Sequence, residues 1–105
     1  MWTYKATIDR VVDGDTVDAV IDLGFSISHK VRLRLARVDA PEMITIEGKR
    51  VKSLLENVLR KGQQCQVVTG KGDRYGRWIA EVTVGTVNVS DWLLDSGLAV
   101  QYVGG

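Results

Sequence analysis

The sequence predicts one small domain of mainly β structure with helices, an α+β barrel. Three observations predict it. Apolar residues alternate with period two in a series of short runs. A single apolar stripe of helical period lies between the third and fourth runs. Glycine, aspartate and proline mark most of the junctions. The 105 residues, 45% hydrophobic and 26% charged, suffice for one compact unit spanning 1–105.

Trp2 to Val12 is rich in Thr, Tyr, Ile and Val and reads as the first strand. Asp13-Gly14-Asp15 is a turn, in which Gly14 permits positive φ and the aspartates cap backbone N–H groups. Thr16 to Leu23 is the second strand, with Val17, Ala19 and Ile21 on one face. Gly24 to Ser28 is a loop. The third strand runs from Lys30 to Val38, with Val31, Leu33 and Leu35 inward and Arg32 and Arg34 outward. Its alternation slips at Arg37, and a bulge or sharp bend near Ala36 would repair the phase. Pro41 then ends the strand and forces Ala40 extended.

Val51, Leu54, Leu55, Val58 and Leu59 share one helical stripe, closed by Gly62. Gln64 to Thr69 is the fourth strand, Gly70 to Gly76 a charged loop, and Trp78 to Val84 the fifth strand. Gly85-Thr86 turns the chain into Val87 to Val89. Ser90 is the expected N-cap of a short helix through Leu94, with Gly97 closing it. Leu98 to Val103 is a last extended piece. This order fits a five-stranded OB-type barrel with one amphipathic helix and one short helix.

Composition excludes several classes. No apolar run approaches the roughly 20 residues of a transmembrane helix, so no membrane role is expected. No secretion signal opens the chain, which points to a cytoplasmic setting and leaves a longer secreted precursor open. The net charge of +1 announces no polyanion, so nucleic-acid binding must come from local clusters of Lys and Arg. Cys65 is alone and reads as a small strand hydrophobe. His29 is also alone and reads as a loop or strand-edge residue. Trp2, Trp78 and Trp92 read as core or core rim.

Three short motifs carry candidate chemistry: Asp13-Gly14-Asp15-Thr16, Arg34 through Glu42, and Asp73-Arg74-Tyr75-Gly76-Arg77. Each is bland alone, as a hairpin turn, a strand stop or a solvated charge. Together they offer Asp15, Asp39 and the Ala40 carbonyl as oxygen donors for a hard cation. Glu42 is placed to take a proton from water, and Arg34 and Arg77 suit a phosphate. Lys71, Arg74 and Tyr75 mix cations with an aromatic, which suits a phosphate and a stacked base.

From about Val11 to Tyr102, these motifs and the segment Val87-Asn88-Val89-Ser90-Asp91-Trp92-Leu93-Leu94-Asp95-Ser96-Gly97-Leu98-Ala99 resemble the thermonuclease, or staphylococcal nuclease-like, family. The resemblance implies an OB barrel and calcium-dependent cleavage of DNA and RNA, with other divalent cations as alternatives. It implies that Asp15, Asp39 and Ala40 bind the metal and that Glu42 is the general base. Arg34 and Arg77 would hold the scissile phosphate, Tyr75 and Arg74 would contact the substrate's phosphates, and Tyr102 would be the substrate-stacking tyrosine. It implies 3′-phosphate products. The loop between Glu42 and Gly48 is shorter than in the staphylococcal enzyme, and the sequence stops at Gly105 without that enzyme's C-terminal helix. Apolar surface left bare there would favour a homodimer.

The expected activity is a nuclease with weak sequence preference, since no base-reading helix is visible. Two other classes stay open: a non-catalytic OB module that binds single-stranded nucleic acid, and an interaction domain whose charges form surface ion pairs.

Overall fold

A computed structural model describes residues 1–102. Its strands are β1 (Trp2–Asp13), β2 (Thr16–Asp22), β3 (Ser28–Leu35), β4 (Val38–Asp39), β5 (Gln64–Gly72), β6 (Trp78–Val84), β7 (Val87–Asn88) and β8 (Val100–Gln101). Helix α1 is Ile46–Val58 and α2 is Val89–Asp95. Val103, which the sequence places in the last extended piece, lies outside the described residues.

The strands run in the order β3-β2-β1-β5-β6-β7, and β3 also pairs with β6. That last pairing is parallel, with Leu33 beside Trp78 and Leu35 beside Ala80. It closes β1, β2, β3, β5 and β6 into the expected five-stranded barrel, which leaves no long open edge. The inward positions follow the alternation: Ala6 and Ile8, Val17, Ala19 and Ile21, Leu33 and Leu35, Cys65 and Val67, Ala80 and Val82 are buried. Helix α1 adds Val51 and Leu55 to the same core, its C-cap adds Leu59, and α2 adds Val89 and Leu93.

On the outer face, Asp18 stands opposite Arg10 on one neighbour and Arg32 on the other. Its carboxylate accepts from Arg10 Nε at 3.0 Å and from Arg32 Nε at 2.8 Å. This cross-strand triad ties three strands together.

Several boundaries differ from the sequence reading. The third strand ends at Leu35, not Val38. Ala36-Arg37 is a turn in which Arg37 takes φ +70°, so of the bulge or sharp bend expected near Ala36 it is the bend that resets the alternation. β5 runs on to Gly72, with a register shift between Thr69 and Lys71, so the charged loop proper is only 73–77. Asn88, not Ser90, caps α2, its side chain accepting from the Asp91 amide at 2.9 Å. Trp92 packs on the core as expected, but Trp2 is 65% exposed and is no core residue.

Candidate active site

Two close approaches bring the motifs together. The turn 13–15 between β1 and β2 rests against the segment after β4. A Cβ on Gly14 would lie 2.7 Å from Ala40 Cβ and 2.9 Å from Val51 Cγ1. Gly14 is therefore needed for space, and the positive φ expected of it is not used. With the turn seated, Asp15 Oδ2 accepts from the Ala40 amide at 2.9 Å, and Asp13 Oδ1 accepts from the Asp15 amide at 3.0 Å. Thr16 Oγ1 donates to Asp15 Oδ1 at 3.1 Å.

Arg34 occupies the junction. Its Nη2 is 3.6 Å from Asp15 and 3.8 Å from Asp39, and its Nη1 donates to the Leu35 carbonyl at 3.0 Å. The Arg34 and Asp15 side chains are each only 13% exposed, so that pair interacts with little screening, whereas Asp39 is 56% exposed. The Tyr102 ring lies 5.4 Å from the Arg34 guanidinium carbon. The Tyr102 amide donates to the Arg37 carbonyl at 2.8 Å, which fixes the segment carrying that ring.

From Arg34 a groove of about 650 Å³ runs along the loop between β5 and β6. Lys71, Arg74, Tyr75, Arg77 and Tyr102 also line it. Asp73 organises this loop. It accepts from the Tyr75 amide at 2.8 Å, the Arg77 amide at 3.0 Å and Arg77 Nε at 2.7 Å. Burial would raise the Asp73 carboxyl, but those two amides and the guanidinium outweigh it and hold it below the usual range. Arg74 and Arg77 both lie over the Tyr75 ring, at 5.2 and 5.3 Å.

Every residue singled out from the sequence can now be placed. Arg34, Lys71, Arg74, Tyr75, Arg77 and Tyr102 share one groove. Asp15 and Asp39 meet at Arg34, with Ala40 bonded to Asp15. Among the described residues, no three acidic, histidine or cysteine groups gather as a metal cluster. Glu42 is exposed. Its backbone is nonetheless held, since the Glu42 carbonyl accepts from the Thr45 amide at 3.0 Å and from Thr45 Oγ1 at 2.7 Å. Thr45 caps α1 by accepting from the Gly48 amide at 2.9 Å.

Sequence reasoning missed three positioning residues. Asp73 was seen only as part of a motif, Gly48 only as the end of the loop after Glu42, and Thr45 not at all. The spacing Thr45 to Gly48 is a capping signature, but it lacks the acidic residue that usually completes it.

A hard cation fits the donor set. Burial pushes the Asp15 carboxyl up to about 6, helped by Asp13 and opposed by the Ala40 amide and Arg34. A half-desolvated carboxylate beside a second one gains from a nearby divalent charge. All the donors are oxygens, which suits calcium or magnesium rather than zinc.

Comparison with known proteins identifies the family. A family model described as staphylococcal nuclease homologue matches residues 32–104, which takes in every candidate residue except Asp15. Micrococcal nuclease of Shigella flexneri is 33% identical over 79 residues, or 75% of this chain and 42% of its own length. Endonuclease YncB of Bacillus subtilis is 32% identical over 109 residues, or 94% of this chain and 49% of its own length. Endonuclease YhcR of the same organism is 33% identical over 113 residues but is covered over only 9% of its length. The chain thus spans less than half of each of these relatives. The family match covers well over half of the chain itself, and on that ground the chain belongs to the staphylococcal nuclease homologues.

Proposed function

We propose that this domain is a calcium-dependent nuclease that hydrolyses phosphodiester bonds of DNA and RNA with little sequence preference. One observation carries the reading. Arg34 is shared between a pair of carboxylates and a groove whose other cations are Lys71, Arg74 and Arg77. Cation site and phosphate site therefore meet at one guanidinium.

In this reading Asp15, Asp39 and the Ala40 carbonyl hold the cation, which supplies charge neutralisation at the phosphate when bound. Arg34 and Arg77 hold the phosphoryl oxygens and stabilise the charge that builds on them. Glu42 accepts a proton from the attacking water as the new P–O bond forms. The P–O5′ bond breaks, the 5′ oxygen leaves with a proton from solvent, and the phosphate stays on the 3′ end. Exposure of Glu42 suits a base that works on a water rather than on a buried group. Contacts to phosphate rather than to base edges account for weak sequence preference. Tyr75 and Tyr102 offer ring faces to the flanking nucleotides.

The test is cleavage of single-stranded DNA, duplex DNA and RNA with calcium, magnesium, manganese or chelator, with product ends identified. Chelator-sensitive cleavage giving 3′-phosphate ends, lost in Glu42→Gln and Arg77→Ala, is the expected result. Nucleic-acid binding with no cleavage under any metal would instead make this a binding module. Full activity in both variants would reject the residue assignment.

A further inference from the structure

The barrel has an open mouth that the proposed chemistry does not use. It lies where β1, β3 and β6 begin and β2 and β5 end. Trp2, Tyr4, Leu23, Val31, Leu33 and Trp78 line a cavity of about 220 Å³ there. The strand alternation explains the lining. Trp2 continues the inward series Tyr4, Ala6, Ile8; Leu23 continues Val17, Ala19, Ile21; and Trp78 begins the series Ala80, Val82. The cavity shares no lining residue with the groove at Arg34, and among the described residues no Asp, Glu, Lys or Arg lines it. The adjoining turn, Leu23-Gly24-Phe25-Ser26-Ile27-Ser28, is uncharged as well.

A knob stands beside this hole. Between Leu23 and His29, both in the lining, the chain turns through Phe25 at φ +54° and Ser26 at φ +61°. Two successive non-glycine residues in the left-handed region cost stability. The turn nonetheless leaves Phe25 98% exposed, so its ring is held away from its own core.

We propose that two copies of this chain pair mouth to mouth about a two-fold axis, each placing Phe25 in the other's cavity. The inference goes beyond the nuclease reading and does not depend on it. Three observations favour a second copy as the occupant. First, knob and hole lie on one surface, as an isologous contact requires. The cavity is smaller than the roughly 300–1,000 Å³ of small-molecule pockets and suits a single side chain. Second, the bare area is what a dimer needs. Trp2 is 65%, Phe25 98% and Trp78 43% exposed, which together leave about 400 Å² of aromatic surface in water. Leu23 and Ile27, 48% and 56% exposed, raise the apolar total to about 500 Å². A standard interface buries about 800 Å² per partner, of which about 65% is apolar in homodimers, so the two areas match. Third, an uncharged face sets no like charges against each other when it meets itself. The groove at Arg34, with no residue in the mouth's lining, is left open in each copy.

The test is sedimentation equilibrium of wild type, Phe25→Ser and Phe25→Asp across the micromolar range, in low and in high salt. Phe25 is exposed, so both variants are expected to keep the fold, which circular dichroism checks. Wild type is expected to pass from one chain to two with a micromolar dissociation constant. Each variant is expected to weaken the pair at least about tenfold, Phe25→Asp the more, because it sets a carboxylate in an apolar hole. High salt is expected to leave the wild-type dimer intact, since no charge pair holds it. Acrylamide quenching locates the contact. Trp2 and Trp78 are expected to become shielded as wild type associates, over a constant background from Trp92, which packs on the core. Four outcomes overturn the proposal: a single chain at every concentration, a dimer that both Phe25 variants leave intact, a dimer that salt dissociates, or open-ended polymers in place of a closed pair. None of them bears on the nuclease reading, which stands or falls on the cleavage assays above.

Discussion

Gly48 sits directly on the backbone of Glu42. A Cβ at Gly48 would lie 1.9 Å from the Glu42 carbonyl oxygen and 2.9 Å from that of Pro41. The first turn of α1 is thereby seated on the segment that carries the proposed base. Thr45 completes the lock, bonding to the Glu42 carbonyl and capping α1 at once.

Gly48→Ala tests that seat. Within a helix, Gly to Ala ordinarily stabilises by up to about 1 kcal/mol. Here the obstacle is backbone, which cannot swing aside as a flexible side chain can. Overpacking of this kind costs about 1–3 kcal/mol. Urea unfolding is expected to show a net loss, and cleavage is expected to fall further than the fraction unfolded explains. A more stable, fully active Gly48→Ala protein would mean that the segment adapts freely and that Glu42 needs no such support.

Asp73 and Arg77 separate positioning from charge stabilisation. Arg77→Ala removes the guanidinium itself and is expected to lower kcat by about 10²–10³-fold. Asp73→Ala leaves the guanidinium in place but releases it, together with the Tyr75 and Arg77 amides. About a tenfold loss is expected, by the logic that small misplacements at a reacting centre are costly. The double variant is expected to be no worse than Arg77→Ala, because positioning has no value without the group positioned. Strict additivity in a kinetic double-mutant cycle would contradict this order of roles.

Asp18 sets an acid limit on stability. The Arg32 guanidinium, working against burial and assisted by Arg10, holds this carboxyl below its ordinary value. A carboxyl depressed on folding stabilises the fold above its unfolded pKa, near 3.9, and loses that contribution as pH falls towards the folded value. Asp18→Asn is therefore expected to cost about 1–2 kcal/mol at neutral pH, between the range for exposed pairs and that for hydrogen bonds to a charged group. The difference from wild type should shrink as pH falls below about 4. Denaturant midpoints taken across that window decide it. A constant difference at all pH values would show that the triad contributes shape and not charge.

Much of the barrel was legible because its physics is local. Alternation placed the inward residues of β1, β2, β3, β5 and β6, and the stripe from Val51 to Leu59 placed α1. The groove was also legible, since Arg34, Lys71, Arg74, Tyr75, Arg77 and Tyr102 share one wall. What failed was decided by distant partners. Gly14 looked like a turn glycine, yet its role is to let Ala40 and Val51 approach, and no local rule foresees that contact. Trp2 looked like core because its parity is inward, yet the strand outruns the barrel at that end. The bend near Ala36 was legible as a slip in the alternation, but its left-handed Arg37 was not, because an arginine in that region has no local signature.

Arg37 explains how that turn is held, and it yields the sharpest separation of strain from attraction. Its guanidinium donates to both Glu81 oxygens at 2.8 Å, reaches Asn88 at 3.3 Å and pairs with Asp91 at 2.8 Å. These partners lie on β6, β7 and α2, so the side chain clamps the turn to the strand beside it and to the helix that follows. The backbone meanwhile sits at φ +70°, where a Cβ is unfavourable. Arg37→Ala removes the clamp and keeps the strain, whereas Arg37→Gly removes both. Glycine is therefore expected to be the more stable of the two variants by about 1 kcal/mol. Both are expected to loosen Tyr102, whose amide bonds to the Arg37 carbonyl, and with it the ring over Arg34. Unfolding free energies of the two variants, with Tyr102 mobility followed by NMR relaxation, test the two effects separately. An alanine variant at least as stable as the glycine variant would show that the turn abandons the left-handed geometry once the clamp is gone.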